Sequence, residues 1–143
     1  MKHLLLIVSL LSTLLLIGCS DTNTSKLKQA ESLIEKKDYK SAEYLCDGLA
    51  EKDQSTLSLE QKCALTAYYF QIFQGILSDG ETGKISKEHA EASGMIVLKK
   101  IYNCYTATMK DDPVKAKEYY DTKWEGVDDK SLQTWTNIYI IKR

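Results

Sequence analysis

The fold is decided by residues 58–77, SLEQKCALTAYYFQIFQGIL. Ser58 and Gln61 form the Ser-x-x-Gln pattern of a capping box, which marks the start of a helix. The helix that follows is rich in large apolar side chains, which favour burial against other elements. These side chains are Leu65, Tyr68, Tyr69, Phe70, Ile72, Phe73 and Ile76. The stretch therefore predicts a central helix that is the most buried element of the fold.

Amphipathic segments flank this helix on both sides. Apolar residues recur in them at helical spacing, and Asp112-Pro113 predicts a helix cap followed by proline at the first helical position. The last apolar segment contains Leu132 and Trp135 and favours a helix, although residues 138–141 are equally consistent with a strand. The remaining helices are predicted over residues 25–36, 39–51, 86–110 and 113–120.

Composition agrees with a helical fold and limits the partners. The 143 residues include one proline and seven glycines, which are too few for the many turns of an all-β fold. The sequence predicts an all-α fold, a small helical bundle of five to six helices. Lys plus Arg number 19 against 20 for Asp plus Glu. This near-neutral balance argues against a nucleic-acid partner, which requires a basic surface.

The N-terminus has the features of a secretion signal. A basic start precedes residues 4–17, a mainly apolar run of 14 residues. A transmembrane helix needs about 20 such residues, so the run is too short to cross a bilayer. We therefore divide the chain into a signal peptide (1–18), a lipidated cysteine with a polar tether (19–25) and a helical domain (26–143).

Leu16-Ile17-Gly18-Cys19 resembles the lipobox of bacterial lipoproteins. The resemblance implies cleavage after Gly18 and fatty acylation of Cys19, palmitate included, which would anchor the protein to a bilayer of the cell envelope. Ser20 stands where enteric lipoproteins retained in the inner membrane carry aspartate, so the resemblance favours the outer membrane. It leaves open the periplasmic or the surface face. The alternative is an ordinary secretory signal with an incidental cysteine.

Residues 30–49 resemble a tetratricopeptide-type helical hairpin. The matching residues are Ala30, Leu33, Asp38, Tyr39, Ala42 and Leu49. The usual proline at the end of the repeat is missing, and a second copy is incomplete. In this family the first helix of each repeat lines a groove that binds a peptide. The resemblance thus implies a groove formed by Leu27, Glu31, Ile34, Leu65, Tyr68 and Tyr69. Packing of the tyrosines in the core is the alternative, as is a generic amphipathic hairpin.

Three cysteines remain after Cys19. Cys46 and Cys63 lie symmetrically about the connection between the second and third predicted helices. If these helices are antiparallel neighbours, the two cysteines come level and a disulfide is feasible. The alternative is that both are free thiols in the core. Cys104 is expected in the core of the fourth helix.

No catalytic, metal or cofactor site is predicted. The loop at residues 78–86 lacks the residues of a phosphate-binding loop and the carboxylates of a calcium loop. His89 is the only histidine after the signal and has no metal-ligand spacing to partners. An enzyme would need at least one buried acidic residue in a cleft, and no motif singles out Glu43, Asp47 or Glu60 for that role.

The leading hypothesis is a non-enzymatic, membrane-anchored envelope lipoprotein that binds a protein or peptide partner. An accessory or inhibitor lipoprotein of a larger envelope machine, such as an immunity or assembly factor, is the first alternative. An enzyme that acts on cell-wall material is the second.

The lipobox interpretation is tested by the Cys19→Ser variant. We expect the unchanged protein to incorporate labelled palmitate and to lose residues 1–18, because the acylating enzyme requires the thiol. C19S should incorporate no label and keep its signal peptide, as measured by mass spectrometry. Intact Met1 in the unchanged protein would contradict the interpretation.

Overall fold

The structure is a computed structural model that describes residues 21–51 and 54–143. In these residues the chain forms six α-helices, one short 3-10 turn at Gln54–Thr56 and no strand. The predicted all-α bundle of five to six helices is confirmed, and residues 138–141 are helical rather than extended. In chain order the helices are α1 (Thr22–Glu35), α2 (Tyr39–Glu51), α3 (Leu59–Glu81), α4 (Lys87–Asp111), α5 (Pro113–Lys123) and α6 (Asp129–Lys142).

Each helix begins after an aspartate or serine that accepts a hydrogen bond from the backbone of the first turn. The capping box of α3 is complete: Ser58 Oγ accepts from the Gln61 N–H at 3.1 Å, and Gln61 Oε1 accepts from the Ser58 N–H at 2.9 Å. A cap of this kind contributes about 1 kcal/mol. The other caps are Asp21, Asp38, Ser86, Asp112 and Asp128.

Three predicted helix boundaries are wrong by three residues or more, and one of them is the end of α5, which lies at Lys123 and not at Tyr120. Helix α1 begins at Thr22 and not at residue 25, because Asp21 caps it; residues 22–25 therefore belong to the helix and not to a polar tether. Helix α3 continues to Glu81, beyond the predicted end near Leu77. Gly80, in this last turn, packs so closely on Ala90 of α4 that a side chain at position 80 would not fit. The additional turn of α3 thus makes a tertiary contact with α4.

Helix α3 lies at the centre of the bundle. It packs antiparallel to α4, while α1, α2 and α5 cover its other sides. Residues 63–70 are buried without interruption. Since successive helical residues point about 100° apart, eight in a row face every direction. This helix is therefore buried all round in its first half, and the sequence correctly identifies it as the most buried element.

The remaining helices form two covers around this centre. Helices α1 and α2 form a hairpin on α3, while α5 and α6 pack on the other side, with α6 mainly against α4. The predicted helical hairpin is thus present, and its assignment to the tetratricopeptide type stays a prediction. No helix in the described part of the chain has the length and apolar character to span a bilayer.

The packing of α2 on α3 depends on Gly75, and this contact can be tested. The Tyr39 ring lies directly on Gly75, and an added Cβ would overlap the ring. We expect Gly75→Ala to lower the free energy of unfolding by about 1–3 kcal/mol, the usual cost of overpacking. Urea denaturation followed by circular dichroism measures it.

Gly48 provides the matched control for this variant. It lies in the interior of α2, and an added Cβ there meets nothing within 4 Å. Gly48→Ala should therefore stabilise the protein by roughly 0.5–1 kcal/mol through helix propensity alone. Equal effects of G75A and G48A would contradict the close contact between α2 and α3.

Candidate functional site

A cleft opens where α1 and α3 begin and α5 ends. We call it the N-terminal cleft; its volume is about 540 Å³. Leu27, Ala64 and Tyr68 are its most buried lining residues, and polar and charged side chains surround them. The latter are Thr24, Lys28, Glu31, Ser58, Glu60, Gln61 and Lys123, with Trp124 completing the wall from α5.

One glutamine ties the first turn of α1 to the first turn of α3. The Gln61 side-chain amide donates to Asp21 Oδ2 at 2.6 Å and to Thr24 Oγ1 at 3.1 Å. The same side chain closes the capping box with Ser58 through its oxygen. Because the polar groups of Gln61 and Ser58 are used in this way, they hold the end of the cleft in place rather than reach into it.

Tyr68 is the aromatic residue at the base of the cleft. Burial, together with the negative charge of nearby Glu31, raises the pKa of Tyr68 to about 12. The hydroxyl is therefore neutral at physiological pH and can donate a hydrogen bond. Glu31 itself is exposed on α1, where its carboxylate can accept hydrogen bonds or pair with a cation.

The wall formed by α5 combines a cation with an aromatic ring. Lys123 forms an ion pair with Glu60, and its ammonium lies 5.0 Å from the centre of the Tyr119 ring. Half-buried Trp124 packs on Tyr120, with the ring centres 6.3 Å apart. Aromatic side chains of this kind present apolar area at little cost in conformational entropy and are enriched in binding surfaces.

The cleft contains three of the six residues predicted to form a groove. Leu27, Glu31 and Tyr68 line it together. Leu65 and Tyr69 are 2% and 1% exposed and lie in the core, and half-buried Ile34 is not part of the cleft wall. The predicted groove is therefore wrong for three of its six residues: Ile34, Leu65 and Tyr69 do not line the cleft. The reason is the helical turn of about 100° per residue, which sends the neighbours Tyr68 and Tyr69 to different sides of α3.

A second polar cluster lies on the other side of α3. The Lys100 ammonium of α4 lies 2.5 Å from Glu43 Oε1 and 2.8 Å from Asp47 Oδ2, both on α2. The Tyr69 hydroxyl donates to Asp47 Oδ1 at 2.7 Å. Burial lowers the pKa of Lys100, but its hydrogen bonds to Asp47 and Glu43 outweigh this effect and raise it. The cluster joins α2 to α4 across α3.

All three acidic residues that were considered for an enzyme form ion pairs with lysines. Glu43 and Asp47 are paired with Lys100, and Glu60 is paired with Lys123. Asp47 and Lys100, together with Tyr69 and Cys104, line a further cleft of about 410 Å³. Lys100 cannot be predicted from the sequence as part of this cluster, because the spacing of 57 residues between it and Glu43 carries no local signal.

The structure has no bond between Cys46 and Cys63. Both are buried and free, as in the alternative of two core thiols, and Cys104 is free and half-buried. Cys63 lies among the hydroxyls of Tyr120 and Thr108, whereas Cys46 lies near Asp47 and Cys104. The two cysteines are at symmetric positions in the sequence, but their side chains contact different neighbours. Such an arrangement does not allow a disulfide bond.

Cys19 and Gly18 lie outside the described residues, so the lipobox has no structural counterpart here. Within residues 21–51 and 54–143, no group of three His, Cys, Asp or Glu side chains is arranged to hold a metal ion.

Comparison of the chain with protein-family models, with curated proteins and with solved structures finds no match.

The three thiols, two of them buried and that of Cys104 half-buried, should react slowly in the folded protein. Burial raises the pKa of Cys46 and Cys104 to about 12 and that of Cys63 to about 11. Since the thiolate is the reactive form, we expect alkylation at pH 8 to be at least about a hundredfold slower than in denaturant. Timed iodoacetamide labelling with peptide mass spectrometry measures each rate.

The same experiment distinguishes free thiols from a bridge. In denaturant without reductant, all three cysteines should take up the label. Protection of Cys46 and Cys63 that only a reductant removes would show that the two are bridged and would contradict the structure.

Proposed function

We propose that this protein is a lipid-anchored lipoprotein of the bacterial cell envelope that binds a polypeptide segment in the N-terminal cleft and carries out no chemistry of its own. The anchor is the acylated Cys19 that the lipobox predicts. The outer membrane is the favoured location. The partner is a protein or peptide of the envelope.

The position of the cleft supports this proposal most directly. Gln61, a residue of the cleft wall, holds the Asp21 side chain at 2.6 Å. In a chain cleaved after Gly18, Asp21 is only two residues from Cys19, which corresponds to at most about 7 Å of extended chain. An acylated Cys19 would therefore keep the cleft beside the bilayer surface, where it can meet segments that emerge from the membrane or lie on it.

The lining of the cleft supports a polypeptide as the partner. Tyr68 and Trp124 offer aromatic surface, while Glu31 and Lys28 offer both signs of charge on one helix. A segment with apolar and basic side chains would find apolar contact at the base and a carboxylate at the rim. The pairing of Glu43, Asp47 and Glu60 with lysines supports a non-enzymatic role over a cell-wall enzyme.

A photo-crosslinking amino acid at position 31 tests the binding role in living cells. We expect crosslinks from position 31 to a defined envelope protein, because this side chain lies at the cleft wall. Position 35 is the matched control, since Glu35 is an exposed glutamate one turn further along α1 and is not part of the cleft. Labelling followed by mass spectrometry identifies the crosslinked protein.

Two results would count against the proposal. Equal crosslinking from positions 31 and 35 would mean that contact is not specific to the cleft. A crosslink at position 31 that persists when Lys28→Glu and Tyr68→Ala are combined would mean that the cleft surface does not bind the partner.

A further inference from the structure

A second opening lies toward the other end of α3. We call it the apolar slot; its volume is about 400 Å³, and it lies between α4 and α6 above the second half of α3. Phe73, Leu77 and Leu98 line it, and the rings of Phe73 and Trp135 pack edge to face with their centres 4.8 Å apart. Phe73 and Leu98 are buried and form the floor of the slot, so the apolar surface that it offers comes from half-buried side chains: Leu77, Met95, Trp135 and Ile138.

The slot exists because two walls leave a gap over α3. Helix α6 packs mainly on α4, so Leu77 of α3 stays only half-buried between them, next to the buried Phe73 ring. Gly94 on α4 adds space, because it contributes no side chain where an added Cβ would only touch Phe73 and Leu77 at ordinary contact distance. An opening of this kind can accept an apolar side chain from outside.

A protruding apolar side chain lies directly beside the slot. Ile138 of α6 is part of the slot lining, and Ile141 follows three residues later, next to it on the helix surface. Ile141 is 81% exposed. An exposed side chain on the flank of an opening can enter the same opening of a second copy that is rotated by 180°.

The charges at the slot have the same self-complementary arrangement. Glu91 lies on the α4 wall and Lys142 on the α6 wall. Because α4 and α6 run antiparallel, with Tyr105 bonded to Asp129 at their opposite end, both charges lie at one end of the slot. Neither forms an ion pair within the described part of the chain.

We propose that the apolar slot is the interface of a symmetric homodimer. A two-fold axis along the slot places the α4 wall of one copy against the α6 wall of the other. Glu91 then meets the partner's Lys142, and the reverse pair forms by symmetry. Ile141 of each copy enters the other's slot, which removes both exposed isoleucines from water. Charge complementarity thus favours a second copy over a foreign helix as the occupant.

The dimer leaves the N-terminal cleft free. Phe73 lies 12 residues after Gln61 along α3, a rise of about 18 Å. The two surfaces are therefore separate, so the dimer and the binding role proposed above can be tested independently.

Photo-crosslinking at Ile141 in the full lipoprotein in its own membrane tests the dimer. We expect a product of twice the mass of one chain. Val114 on α5, 78% exposed and outside the slot, is the control position and should give no such product. A crosslink at position 141 only to another protein, or no crosslink at all, would overturn the proposal, as would equal dimer yields from positions 114 and 141.

Charge reversal tests the register of the two copies. Glu91→Lys alone and Lys142→Glu alone should each reduce the dimer crosslink by about fivefold or more, because each places like charges opposite one another. The double variant restores opposite charges and should restore the crosslink. Both residues are exposed, so the fold is not affected. A double variant no better than the single ones, or single variants without effect, would overturn the proposed arrangement.

Discussion

Burial of the first half of α3 on every side is the constraint on which the rest of the structure depends. Residues 63–70 present apolar or small side chains in all directions. Exposing one side of the helix would therefore expose large groups such as Tyr69 or Phe70, at a cost of about 1.5–3 kcal/mol for each large apolar side chain. The other helices therefore act as covers. Polar contacts fix where each cover lies: Gln61 holds α1, Lys100 joins α2 to α4, and the hydrogen bond of 2.6 Å between Thr108 and Tyr120 joins α4 to α5.

The covers bury the first half of α3 but leave an opening over Ala64 and Tyr68 and another over Leu77, and the two openings differ in character. The N-terminal cleft combines aromatic residues with charges and lies beside the point where the predicted anchor joins the domain. The apolar slot is lined mainly by hydrophobic side chains and carries one charge on each wall. In our account the first opening binds a partner near the bilayer and the second joins two copies of the chain. Both functions use openings over one buried helix and need no catalytic group.

The sequence predicts the parts of this structure that depend on local patterns. Ser58 and Gln61 identify the start of α3, Asp112-Pro113 the start of α5, and the apolar run of α3 the centre of the bundle. Features that depend on which side of a helix faces which neighbour are not predicted. The hairpin resemblance places Tyr68 and Tyr69 in one groove, whereas Tyr69 packs in the core, the alternative that the sequence leaves open. Cys63 lies beside Tyr120 and is not bonded to Cys46, and Lys100 pairs with acids 57 and 53 residues away. Three of the six residues that the hairpin resemblance places in a groove line the N-terminal cleft, while the positions of the other three depend on tertiary packing.

Native-state hydrogen exchange, resolved amide by amide, tests the central position of α3 most directly. Amides of residues 65–73 should exchange only through global unfolding, with a free energy of opening equal to that measured by urea denaturation, while amides of α6 should exchange through smaller, local openings. Exchange of the α3 amides at a lower free energy than those of α6 would contradict the account, because it would show that the bundle can open at its centre while its outer helix stays folded.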